Sequence, residues 1–285
     1  MPATDWLVET DWLAAHLTSP DIVVLDGSSH LPTTKRSGKA EFLTEHIPGA
    51  QYFDIDDISD EKSSLPHMLP STVKFASRMK KMGVGDGLRV VVYDANGISS
   101  APRTWWMFRV MGHTDVVVLN GGLKKWKAEG RPLEDGPAMR RSERHFTPRF
   151  DASLVRDLAD IKAHVAAKDV QLVDARPVSR YAGEEAEFRP GLKSGHIPGS
   201  KSVPASGLVN ADGTLKNADE IARAFAAGGI DPAKPIVTTC GSGVSACVLS
   251  LALTRIGRPD AAVYDGSWTE WGADPSLPIE TGPAR

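Results

Sequence analysis

Residues 235–256 read Pro235-Ile-Val-Thr-Thr-Cys240-Gly-Ser-Gly-Val-Ser-Ala-Cys247-Val-Leu-Ser-Leu-Ala-Leu253-Thr-Arg-Ile256. The run Pro235–Thr238 predicts a buried strand, and the stretch from Val244 to Ile256 predicts a helix. Cys240 heads the loop between them. Gly241 and Gly243 let the loop backbone bend and turn its N–H groups inward. The following helix adds the positive end of its dipole. Both favour negative charge on the sulfur, the form that attacks. A lone cysteine is ordinarily a small buried hydrophobe. The flanking glycines and the strand-end position, where α/β sheets bind ligands, single out Cys240 as a nucleophile instead. Cys247 lies on an apolar helix face with Leu251 and is expected to be core.

Working outward, the chain repeats itself. Leu25-Asp26-Gly27 has a counterpart in Val173-Asp174-Ala175, and Glu-His-Ile-Pro-Gly-Ala at 45–50 one in Gly-His-Ile-Pro-Gly-Ser at 195–200. Tyr93-Asp94 followed by Gly97-Ile98-Ser99 echoes Thr239-Cys240 followed by Gly243-Val244-Ser245. Asn120-Gly-Gly-Leu-Lys-Lys-Trp126 matches Asp265-Gly-Ser-Trp-Thr-Glu-Trp271. The offsets at Asp26/Asp174, His46/His196, Asp94/Cys240 and Trp126/Trp271 are 148, 150, 146 and 145 residues. Matches in one order at nearly one spacing indicate a duplicated domain, since solenoid repeats are far shorter. The polar stretch 135–150 reads as a linker between copies at 1–134 and 151–285.

Each copy alternates short apolar runs with helical patterns. Ile22–Leu25, Val90–Tyr93 and Val116–Leu119 are strand candidates in the first, and Val170–Val173, Pro235–Thr238 and Ala261–Tyr264 in the second. Helical segments run from Ser71 to Met82, Ala101 to Met111, Asn217 to Ala227 and Val244 to Ile256. The fold class is therefore α/β: two tandem domains, each a mostly parallel sheet with helices on both faces.

Bulk properties narrow the function. The chain has 285 residues, 41% hydrophobic and 24% charged, with a net charge of -3, which suits a globular protein and lacks the basic footprint of nucleic-acid binding. No apolar run approaches the roughly 18 residues that span a bilayer. The acidic stretch Met1–Asp11 does not read as a secretory leader. Two cysteines in the whole chain argue for a reducing, cytoplasmic setting and are too few for a cysteine-based zinc site.

A cysteine loop before a helix also serves phosphatases, in the pattern Cys-x5-Arg. Here the sixth residue after Cys240 is Ala246, and a phosphate dianion would lack its bidentate partner. The duplicated α/β pattern, the repeated His-Ile-Pro-Gly, the terminal Asp-Gly-Ser-Trp-x-Glu-Trp and a cysteine in the second loop alone resemble the tandem rhodanese-type sulfurtransferases, from about Trp6 to Glu280. Thiosulfate sulfurtransferases typically carry basic residues after the cysteine. The neutral loop here is similar to that of the 3-mercaptopyruvate sulfurtransferases, with Ser245 at their usual Thr. Asp54-Ile-Asp56, His67-Met-Leu-Pro70 and Pro102-Arg-Thr-Trp-Trp-Met-Phe108 agree with that placement.

The resemblance implies sulfur transfer from 3-mercaptopyruvate through a Cys240 persulfide, with no metal or organic cofactor. The acceptor would be cyanide or a thiol such as a thioredoxin-like protein. It assigns substrate binding to Arg180 and Arg189 and to the loop residues Gly241, Gly243, Val244 and Ser245, and a proton relay to Asp56, His67 and Ser242. The substrate chemistry agrees, because mercaptopyruvate carries its carboxylate away from its sulfur and wants cations set back from the cysteine. The alternatives are a thiosulfate sulfurtransferase and a non-enzymatic sulfur-carrier or partner-binding module. Asp94 in the matched first loop cannot hold a sulfane sulfur. Surface ion pairs are the ordinary alternative for Arg180 and Arg189, and Arg176, beside the strand end, is expected to be structural. His46 and His196 recur in the copy that lacks the nucleophile, so they are read as turn-forming rather than catalytic.

Overall fold

The computed structural model describes residues 6–283; Met1–Asp5, the start of the stretch read as carrying no leader, lie outside it. The chain divides into two units. The first comprises residues 6–61, 69–151 and 210–215, and the second residues 62–68, 152–209 and 216–283. This differs from a division by chain order at three places, because packing rather than continuity decides membership. Segment 62–68, which carries His67, groups with the second unit, and 210–215 groups with the first. The stretch 135–150, expected as a linker, lies within the first unit, where Phe146 is buried edge-on against Phe75 at 5.4 Å.

The first unit runs β1 (Leu7–Val8), α1 (Thr10–His16), β2 (Ile22–Asp26), α2 (Gly38–Thr44), β3 (Gln51–Tyr52) and α3 (Ile55–Ile58). It continues with α4 (Thr72–Lys81), β4 (Arg89–Tyr93), α5 (Ala101–Val110), β5 (Val116–Leu119) and α6 (Gly122–Ala128). The second runs β6 (Val155–Arg156), α7 (Leu158–Ala167), β7 (Gln171–Asp174), α8 (Val178–Ala182) and β8 (Lys201–Ser202). It ends with α9 (Ala218–Ala227), β9 (Ile236–Thr239), α10 (Ala246–Arg255), β10 (Ala262–Tyr264) and α11 (Ser267–Trp271).

Among the described residues each unit has a five-stranded sheet, ordered β1-β5-β4-β2-β3 and β6-β10-β9-β7-β8. All the pairings are parallel. The second order is the first with every strand replaced by its repeat partner, which is the structural signature of duplication. Central strands such as β2 and β5 are buried along their whole length, as expected of parallel strands covered on both faces.

The repeated motifs are structural, for the same reason in both copies. His46 Nδ1 bonds Phe42 O at 2.7 Å and its ring stacks on Phe42; His196 Nδ1 bonds Tyr181 O at 2.8 Å and stacks on Tyr181. Trp126 donates to Pro132 O, and Trp271 to Pro278 O, each at 2.8 Å. Within the first unit, Gly97 at φ +116 admits the 210–215 segment: a Cβ there would fall 2.5 Å from Gly213 Cα.

Candidate active site

Strand β9 delivers Cys240 to the carboxyl edge of the second sheet, and the chain turns through 240–245 into α10. Cys240 is 2% exposed; Ser242 and Gly243 are buried, and Gly241, Val244 and Ser245 half-buried. Gly243 takes φ +75, a bend that a side chain would resist. The Cys240 N–H donates to Ser267 Oγ at 3.2 Å, and that hydroxyl donates to Tyr264 O at 2.8 Å. In return, the N–H groups of Trp268 and Thr269 donate to the carbonyls of Cys240 and Gly241 at 3.0 and 2.9 Å. The corner between β10 and α11 thus fixes the loop from both directions.

The head of α10 is built differently from those of α7 and α9. Helices α7 and α9 open on capping boxes, Asp157–Asp160 and Asn217–Glu220, whereas Ser245, the N-cap residue of α10, makes no side-chain cap bond. The first turn of α10 closes on the loop itself, the N–H groups of Cys247 and Val248 donating to Val244 O and Ser245 O at 3.1 and 3.0 Å. Cys247 is buried with its Sγ 3.2 Å from Gly243 O, under the same loop and in the core.

Cations flank this loop rather than occupy it. Arg176 grips Asp174, with Nη2–Oδ2 at 2.7 Å, and donates to Glu187 Oε1 at 2.7 Å and to Gly195 O at 2.8 Å. It is structural, in keeping with its place beside the strand end. Glu187, whose side chain is 1% exposed, turns its other oxygen to Arg180 Nη2 at 2.6 Å. Arg180 is therefore held in a buried bridge and not an exposed surface pair. Arg180 Nη2 and Arg189 Nη1 lie 3.5 and 3.7 Å from where a Cβ on Gly241 would stand. Arg189 Nη2 also reaches Ser242 Oγ at 3.4 Å, a long contact. Burial pulls Arg189 below its ordinary range, the charge on Cys240 opposes that shift, and Arg180 adds repulsion.

The Rhodanese-like domain model matches residues 9–129 and 157–274, once in each copy. The chain belongs to the rhodanese family. A 3-mercaptopyruvate sulfurtransferase of Escherichia coli K12 is 42% identical over 98% of this chain and 99% of its own length. An Arabidopsis thaliana protein named thiosulfate/3-mercaptopyruvate sulfurtransferase 1, mitochondrial, is 41% identical over 96% of this chain and 78% of its own. The crystal structure of an E. coli 3-mercaptopyruvate sulfotransferase superposes with a TM-score of 0.85 at 40% identity, covering 92% of this chain and 98% of that one.

The first rhodanese unit shows what its loop is built to hold. Asp94, 1% exposed, accepts at Oδ2 from the N–H groups of Ser99, Ser100 and Ala101 at 2.9, 2.8 and 2.8 Å, and at Oδ1 from Asn96 at 2.9 Å. Helix α5 has no side-chain cap from Ser100, and its head is satisfied by this carboxylate. Ser99 and Ser100 match Ser245 and Ala246 of the second rhodanese loop. The first loop carries its anion on its own chain.

The remaining sequence candidates are spread over both rhodanese units. His67 lies in segment 62–68 of the second unit, half-buried at φ +63, a strained backbone conformation for a residue with a side chain. Asp56 is exposed in the first turn of α3 of the first unit. Three contributors escaped the sequence reading. Ser267 stands at the repeat position of Gly122, a signal of a special backbone site, and the two take φ +52 and +53. Glu187 and Phe188 stand in no repeated or periodic pattern that would single them out.

Proposed function

We propose that the protein is a 3-mercaptopyruvate sulfurtransferase working through a persulfide on Cys240. The observation that carries this is the division of labour at the loop: a buried thiol among neutral residues, with the guanidinium groups of Arg180 and Arg189 set to one side of Gly241. A donor with its carboxylate remote from its sulfur fits that arrangement.

The Cys240 thiolate attacks the substrate sulfur while Arg180 and Arg189 hold the carboxylate and keto oxygen. The Sγ–S bond forms as the C–S bond breaks, and the electron pair of that bond leaves as the enolate of pyruvate. The proton of the mercapto group ends on the enolate carbon, so pyruvate departs and a persulfide anion remains on Cys240. Its outer sulfur takes the place that Asp94 Oδ2 holds in the first unit, stabilised by the loop N–H groups and the head of α10. A thiolate, or cyanide, then attacks that sulfur, the S–S bond breaks and the Cys240 thiolate returns. Half-reactions through one covalent intermediate give ping-pong kinetics. Asp56, His67 and Ser242 are proposed to relay the proton, and Gly241, Gly243, Val244 and Ser245 to line the donor's path.

A thioredoxin-like dithiol in a reducing, cytoplasmic setting suits this chemistry as acceptor. No described helix is long and apolar enough to cross a membrane. Thiosulfate is the second donor to test, since the Arabidopsis relative is named for both compounds. The test compares pyruvate and thiocyanate formation from 3-mercaptopyruvate and from thiosulfate, with Cys240→Ser alongside. Retained turnover in Cys240→Ser would remove the persulfide mechanism, and a clear preference for thiosulfate would remove the donor assignment. Asp56→Asn and His67→Gln at wild-type rates would remove the relay.

A further inference from the structure

Arg180 and Arg189 stand close enough to repel one another, yet they are held by different means. Arg180 has a buried carboxylate, Glu187, at 2.6 Å. Arg189 has the 3.4 Å contact to Ser242 Oγ. What they share is the ring between Glu187 and Arg189 in the chain: the Cζ atoms of Arg180 and Arg189 lie 4.9 and 4.7 Å from the centroid of Phe188. Both distances fall within the range in which an aromatic face attracts a cation.

We infer that Phe188 is a positioning residue for the substrate, a half-buried aromatic platform that holds both guanidinium groups beside Cys240. The chemistry favours a ring over another acid. A second carboxylate would cancel the positive charge that a donor's carboxylate needs and would take up guanidinium N–H groups. A π contact offsets the repulsion between the cations and leaves those donors unspent. Glu187, Phe188 and Arg189 then act as one strip: the acid orients Arg180, the ring steadies Arg180 and Arg189, and Arg189 faces the loop. This inference rests on the reading that Arg180 and Arg189 bind the donor's carboxylate.

The test replaces Phe188 by mono-, di- and trifluorophenylalanine, which weaken the ring's quadrupole stepwise at nearly constant shape, with Phe188→Tyr and Phe188→Leu as companions. Arg180→Gln and Arg189→Gln are measured in parallel. KM for 3-mercaptopyruvate is expected to climb with each added fluorine, reaching about threefold to thirtyfold over wild type in the trifluoro form and in Phe188→Leu. Phe188→Tyr should restore KM, kcat should stay within about twofold, and discharge of the persulfide to cyanide should not change. A KM that is flat across the fluorinated series while the arginine variants raise it would overturn the role of Phe188. A KM unmoved in the arginine variants would instead overturn the substrate-binding reading, and this inference with it.

Discussion

The buried acid Asp26 offers a perturbation whose size and sign both follow from the structure. It closes β2 with 2% exposure, and the Ser28 N–H donates to its Oδ1 at 2.8 Å. Burial pushes this carboxyl up to about 6; hydrogen bonds from Ser28 and Tyr93 pull it partly back, and the neighbouring Asp94 charge adds repulsion. In the second unit the matched Asp174 has Arg176 as countercharge, whereas the residue matched to Arg176 is Ser28. A rise from 3.8 to about 6 means that ionised Asp26 costs the folded state about 3 kcal/mol. The folded chain therefore binds this proton more tightly than the unfolded one. Its stabilising contribution is complete below about pH 4 and is lost as the pH rises through about 6. Asparagine keeps the acceptor for Ser28 and carries no charge. Asp26→Asn is expected to raise the unfolding free energy by about 3 kcal/mol at pH 8 and by about 1 kcal/mol at pH 4.5. Urea unfolding at both pH values measures this, with hydrogen exchange of the β2 and β4 amides reporting on the first unit by itself. A gain equal at the two pH values, or a loss at pH 8, would refute the reasoning.

Other outcomes follow from the same contacts. Asp94→Asn turns an amide NH2 toward backbone donors and makes its remaining bonds neutral; the relief of a buried charge offsets part of this, so urea unfolding should show a loss of about 1–3 kcal/mol. Glu187→Gln leaves the buried Arg176 and Arg180 without their shared countercharge, and thermal unfolding should register about 3–5 kcal/mol of destabilisation together with a raised KM for the donor. Ser267→Gly removes the acceptor for the Cys240 N–H but relieves a left-handed backbone that costs a serine about 1–3 kcal/mol. Its melting temperature should therefore stay close to wild type while kcat falls, and steady-state kinetics beside a melting curve separates the two.

Much of the architecture was written in local pattern. The strands expected at Ile22–Leu25 and Val116–Leu119 appear as Ile22–Asp26 and Val116–Leu119, and the helix expected from Ser71 to Met82 as Thr72–Lys81. The outer strands β1, β3, β6 and β8 were not legible, because two residues each are too few to show a period. The candidate nucleophile Cys240 was legible because glycines around a cysteine at a strand end are a local signal. Arg180 and Arg189 came from the family pattern rather than from any spacing, and their surroundings came from neither.

The sequence by itself determined the duplication, the α/β class, the loop that bears Cys240 and the Asp94 that stands at the matched place in the first copy, since each is encoded by residues adjacent in the chain or by a register repeated along it. Only the tertiary structure decided that Asp94 fills its own loop with a carboxylate, that Glu187 is a buried bridge, and that Phe188 meets both arginines. It also decided that segments 62–68 and 210–215 pack outside the copy in which they are written. These depend on where parallel strands bring their carboxyl ends and on which charges are left without water. Such facts concern distance and burial, and a linear pattern specifies them only once the whole chain has folded.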